Sequence, residues 1–73
     1  MRYEVLITAK QPTCGGRAPT KSEIRMVETN DPEAYVRAQE QVDELEVETA
    51  DDGMIIVRLT RNGLWVRYEF TED

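Results

Sequence analysis

Two turn signals in the second half of the chain, Asp51-Asp52-Gly53 and Asn62-Gly63, independently dictate one strand register. Asn-Gly accepts the two positive φ angles of a two-residue hairpin loop. Folding at Asn62-Gly63 pairs Leu59 with Val66, Val57 with Tyr68 and Ile55 with Phe70, six apolar residues on one face. A three-residue loop at Asp51-Asp52-Gly53, with glycine in the left-handed position, sets Thr49 against Ile55, Val47 against Val57 and Leu45 against Leu59, which extends the same face. A two-residue loop at Asp52-Gly53 would instead pair Glu48 with Val57 and Glu46 with Leu59. That one-residue slip turns glutamates into the core and is rejected. Residues 45–70 therefore read as a three-stranded antiparallel meander with one apolar face.

The first half supplies what covers that face. Arg2 to Thr8 alternates Tyr3, Val5 and Ile7 against Arg2, Glu4, Leu6 and Thr8, which reads as a strand with one buried face. Lys10 to Lys21 holds two prolines and Gly15-Gly16 and reads as a long loop; its length suggests a contact role. Ile24 to Thr29 resumes extended structure, with Ile24 and Met26 expected inward and Arg25 and Val27 on the reverse. Asp31 then offers a helix cap, Pro32 fits the first helical position and Glu33 complements the dipole. The helix is expected to run from Pro32 to about Val42 and to present Ala34, Tyr35, Ala38 and Val42 to the sheet. The order β-β-α-β-β-β predicts a single small α+β domain over residues 1–73. Its two layers are one helix and a mainly antiparallel five-stranded sheet.

Composition narrows the chemistry. The chain has no histidine, which removes the commonest general base and imidazole metal ligand. The single cysteine, Cys14, excludes an internal disulfide and a zinc site of several cysteines. Gly15 through Ser22 approaches a phosphate-cradling loop, but Thr20 stands where the second glycine is required, and extended sequence follows. Asp51 and Asp52 lack the ligand spacing of a calcium-binding hand. No enzymatic activity, cofactor or metal is expected. Nothing reads as a membrane span or signal peptide, so a soluble cytoplasmic protein is expected.

The net charge of −6 is unevenly spread. Residues 28–52 hold ten acids and one base, a net −9, while the other 48 residues hold eight bases and five acids, a net +3. In the register above, the face opposite the core carries Glu44, Glu46 and Glu48, then Met54, Ile56, Arg58 and Thr60, then Trp65, Arg67 and Glu69. Glu46, Arg58 and Arg67 form one cross-strand row, and Glu44, Thr60 and Trp65 the next. At two-residue spacing on a strand the three glutamates stand about 6.8 Å apart, close to the separation of neighbouring phosphates along a nucleic acid. Asp43, Asp51 and Asp52 extend the row at its ends. Such a strip is either a solvated, salt-bridged face or a phosphate mimic that docks on lysines and arginines of a nucleic-acid-binding protein. Trp65, flanked by Arg61 and Arg67, is of the residue type most enriched at binding hot spots; alternatively the indole folds over the Arg67 stem. Direct binding of single-stranded nucleic acid through Trp65, Arg58, Arg61 and Arg67 is opposed by the −9 block.

In length, absence of catalytic residues, strand order and the acidic segment Asp43-Glu44-Leu45-Glu46-Val47-Glu48, the chain resembles the small phage-encoded type I anti-CRISPR proteins. The resemblance covers layout and charge and carries over no individual residue. It implies binding to a type I CRISPR surveillance complex in the host cytoplasm, at a basic nucleic-acid site, with target DNA binding or nuclease recruitment blocked. The candidate partner-binding residues are Asp43, Glu44, Glu46, Glu48, Asp51, Asp52, Arg58, Trp65 and Arg67. The alternative is a small interaction module, monomeric or homodimeric, that docks through a sheet edge or the Trp65 face.

Overall fold

In the computed structural model, which describes residues 1–12 and 19–73, Asn62 and Gly63 take φ angles of 54° and 78°, and Gly53 takes 89°. Around these turns run β3 (Glu46–Thr49), β4 (Ile55–Arg61) and β5 (Leu64–Glu72). Their register is the one the turns dictate: Leu59 opposite Val66, Val57 opposite Tyr68 and Val47, and Ile55 opposite Phe70 and Thr49. The first loop closes with Ala50 N–H donating to the Met54 carbonyl at 2.8 Å and Gly53 N–H to the Ala50 carbonyl at 3.0 Å. Leu45 precedes β3 and packs against the core from outside the ladder.

Strands β1 (Arg2–Lys10) and β2 (Thr20–Glu28) form an N-terminal hairpin, and the helix α1 spans Pro32–Glu40. The five strands make one antiparallel sheet in the order β2-β1-β5-β4-β3. Val5 opposite Phe70 and Ile7 opposite Tyr68 continue the apolar face of the meander into β1. The α+β class and the two-layer plan are as expected. The loop between β1 and β2 is shorter than expected, because the ladder extends to Lys10 opposite Thr20 and Gln11 N–H still donates to the Pro19 carbonyl at 2.9 Å. Cys14, Arg17 and half of the phosphate-loop pattern fall in residues 13–18 and lie outside the described residues.

Two facings differ from expectation. In β2 it is Val27 that is buried with the core, while Ile24 and Met26 are 64% and 48% exposed. The pairing explains it: Val27 lies opposite Tyr3 and Arg25 opposite Val5, on the helix side, so Ile24 beside Leu6 and Met26 beside Glu4 occupy the open face. In α1 the fully buried residue is Val36, which is not among the residues expected to face the sheet, and Ala34 and Ala38 are not buried with it. At 100° per residue, Val36 shares a line with Glu40 and is flanked by Tyr35, whereas Ala34 and Ala38 fall on the opposite side. Tyr35 and Val42 do pack against the core, as expected.

The helix starts as the sequence signals, with Asp31 accepting from Ala34 N–H at 3.2 Å and Pro32 in the first turn. It stops at Glu40 rather than near Val42, because Gln41 turns left-handed at φ 55° while its N–H bonds to the Arg37 carbonyl at 2.8 Å. Beneath it Tyr3 and Tyr35 each meet Phe70 edge to face, with centroids 5.6 Å and 6.1 Å apart, and Tyr68 stacks on Phe70 at 6.3 Å. Such pairs add roughly 0.5–1.5 kcal/mol each beyond their buried area. Among the described residues no helix is long and apolar enough to cross a membrane.

Candidate functional site

The acids of residues 28–52 divide by what they touch. Asp31 caps α1, and Glu33 pairs with Arg37 one turn later at 2.5 Å. Glu40 accepts the Tyr68 hydroxyl and pairs with Arg61. Glu48 pairs with Arg58 at 2.9 Å, and Asp52 accepts from Met54 N–H at 3.0 Å to close its turn. These five are occupied in holding the fold. Glu28, Asp43, Glu44, Glu46 and Asp51, by contrast, have no side-chain partner among the described residues.

Three of those five converge. After Gln41 the chain is pinned by Val42 and Leu45, which pack against the core, and by Arg37 Nε, which donates to the Asp43 carbonyl at 3.3 Å. Asp43 and Glu44 are exposed between these anchors. Pairing of β3 to β4 begins only at Glu46 opposite Arg58, so Leu59 to Arg61 have no β3 neighbour along the outer side of β4. The gap is an open depression of about 620 Å³ lined by Arg37, Asp43, Glu44, Leu45, Glu46, Arg58, Leu59, Thr60 and Trp65. Its lining brings apolar Leu45 and Leu59 and the Trp65 indole together with three acids and with Arg37 and Arg58, which are paired to Glu33 and Glu48.

Trp65 lies opposite Thr60 and is 40% exposed. The Arg67 guanidinium sits 5.9 Å from its ring centre, at the outer range of a cation–π contact, and its Nε is 3.5 Å from the Glu69 carboxylate. The indole thus lies beside Arg67 and stays partly open to solvent.

Of the residues singled out from sequence, Asp43, Glu44, Glu46, Arg58 and Trp65 share this depression, with Arg67 behind the indole. The row Glu46, Arg58, Arg67 exists as expected, but Arg58 takes its ion pair from Glu48, diagonally, and leaves Glu46 unpaired. Glu44 lies ahead of β3, so only two glutamates of the expected three-glutamate strip stand on the strand. Asp51 and Asp52 occupy the turn beyond the other end of β3 and do not line the depression. Arg37 is the lining residue that sequence reasoning misses. It positions Asp43 through a side chain-to-carbonyl bond, which strand periodicity does not encode.

Chemically, the site offers carboxylates without side-chain partners among the described residues beside an indole and two leucines. Ionised carboxylates accept hydrogen bonds from ammonium and guanidinium donors. Among the described residues no group of histidine, cysteine, aspartate and glutamate is arranged to hold a metal ion. Comparison with known proteins found no family model, no curated protein and no solved structure that matches this chain.

Proposed function

We propose that this protein is a non-enzymatic inhibitor that docks its acidic depression onto a basic, nucleic-acid-binding surface of a larger protein assembly. The observation that carries this reading is the convergence of three acids without side-chain partners among the described residues, Asp43, Glu44 and Glu46, on one depression with the partly exposed indole of Trp65. Unpaired carboxylates confer on-rate and specificity toward a positive surface, and a central indole beside them supplies the hot spot that charge alone does not. The type I CRISPR surveillance complex, the partner implied by the resemblance in layout and charge, has such a surface where it receives target DNA. Occupying it would block DNA binding or nuclease recruitment without any catalytic step.

The test is binding to a purified type I surveillance complex, with and without target DNA, across a salt series. Association that competes with DNA and weakens as salt rises is expected, since screening acts on exposed charges. Neutralising Asp43→Asn, Glu44→Gln and Glu46→Gln together should abolish it. Trp65→Ala should weaken it by about 2 kcal/mol, the scale of an interface hot spot. Association of the neutralised triple variant at wild-type strength would overturn the docking surface proposed.

A further inference from the structure

The sheet has a second margin, remote from the acidic depression, that the proposed docking does not use. β2 lies at the edge opposite β3, so along its nine residues alternate N–H and C=O groups point outward with no strand among the described residues to receive them. Natural edge strands are usually shortened, bulged, interrupted by proline or guarded by charged side chains; of these, β2 has only the charges. β2 is as long as its neighbour β1, pairs with it without a bulge, and exposes Ile24 and Met26. Its charges follow a particular order: Lys21, Glu23, Arg25 on the helix side, with Arg25 donating to both oxygens of Glu23 at 3.0 Å.

We propose that β2 pairs with β2 of a second copy, antiparallel about a twofold axis through Ile24, to make a ten-stranded sheet across a homodimer. A twofold axis normal to the sheet keeps both helices on one side, so residues of like facing must meet and the axis must pass through a residue. Passing it through Glu23 sets Glu23 against its own copy and Lys21 against Arg25. Passing it through Arg25 sets two arginines together. Passing it through Ile24 uses all nine residues, opposes Glu23 and Arg25 twice over, puts Ile24 against Ile24 on the open face and places Met26 against Ser22. Opposite charges directly across a strand pair stabilise and like charges destabilise, so charge selects this register over those through Glu23 and Arg25. An axis through Ser22 would also oppose Lys21 and Glu23, but it pairs only residues 20–24, and the full nine-residue ladder favours Ile24. The Glu23–Arg25 pairs of the two copies then form a closed ring of four alternating charges. Both groups are ionised at neutral pH, since the hydrogen bond from Arg25 holds the Glu23 carboxyl below its usual range.

Sedimentation velocity across a concentration series tests the register directly. Wild-type protein is expected to pass from monomer to dimer as concentration rises. Glu23→Arg places an introduced arginine across from Arg25 of the second copy, and Arg25→Glu places an introduced glutamate across from Glu23. Each variant alone should therefore stay monomeric. Mixed, the two variants restore both opposite-charge pairs and should form a heterodimer, and the double exchange E23R/R25E should dimerise by itself. The Glu23–Arg25 pair is exposed, and circular dichroism is expected to show that both variants stay folded. A wild-type protein that remains monomeric, or single variants that dimerise as wild type does, would overturn the proposal. Because β2 and the acidic depression lie at opposite margins of the sheet, loss of dimerisation in these variants should leave binding to a basic partner intact.

Discussion

A tyrosine hydroxyl buried under a helix needs an acceptor inside the fold. Tyr68, 1% exposed, finds one in Glu40 at 2.5 Å, and Arg61 meets the other oxygen of the same carboxylate from the end of β4. Glu40, whose side chain is 8% exposed, thus serves the core although it belongs to the acidic block by sequence. Burial first, and the bond to Glu40 second, push the Tyr68 hydroxyl well above its ordinary value of 10.0. The fold therefore favours the protonated phenol. As pH rises past 10 the unfolded chain releases this proton first, so the stabilisation is complete below pH 10 and is lost as pH climbs toward the folded value. Urea titrations at increasing pH should show a decline above about pH 10 of up to about 1.4 kcal/mol per pH unit. Tyr68→Phe should cost about 1 kcal/mol at neutral pH and remove this group's share of the alkaline decline. An unchanged alkaline slope in Tyr68→Phe would assign the decline to other groups.

At the scale of elements, what can be read in advance follows from how local the determinant is. The hairpin turns are legible because Asn62, Gly63 and Gly53 meet a backbone requirement for positive φ that few residues satisfy. A Cβ built on Gly63 meets nothing within 4 Å, so Gly63→Ala isolates the backbone cost and should destabilise by roughly 1–2 kcal/mol in urea titration. Once the turns fix the register, Glu46, Arg58, Trp65 and Arg67 follow on one face without further information. The facing of α1 is not legible, because apolar residues occur around much of its circumference and only the sheet decides between them. Val36→Ala should cost about 2–3 kcal/mol, from lost burial plus the cavity left behind. Ala38→Lys should stay within about 0.5 kcal/mol, as for an exposed position. Equal losses at the two positions would contradict the facing of the helix. β2 misleads for a related reason. An edge strand is exposed along much of both faces, so Ile24 and Met26 at even positions imitate a core face, and only the long-range pairing of Val27 with Tyr3 reveals the other side.

For the molecule as a whole, the question is what the unpaired acids cost. A net −9 concentrated in residues 28–52 repels itself, and among the described residues ion pairs to Arg37, Arg58 and Arg61 relieve this at Glu33, Glu48 and Glu40. Asp43, Glu44 and Glu46 add repulsion without supporting a turn, a cap or an ion pair among the described residues. Surface charges of this kind interact over roughly the Debye length, about 10 Å at 0.1 M salt. Added sodium chloride should therefore raise the urea midpoint of the wild-type protein. Neutralising all three by Asp43→Asn, Glu44→Gln and Glu46→Gln shifts the net charge from −6 to −3. That variant should be at least as stable as wild type at low salt, with a weaker dependence on salt, because self-repulsion is lost and no native contact is broken. The comparison separates two roles that a binding assay alone would confuse. If the variant keeps its stability and loses its partner, the three acids serve recognition. If it melts earlier at low salt, they hold the 42–45 segment in place, and lost binding would reflect a loosened fold.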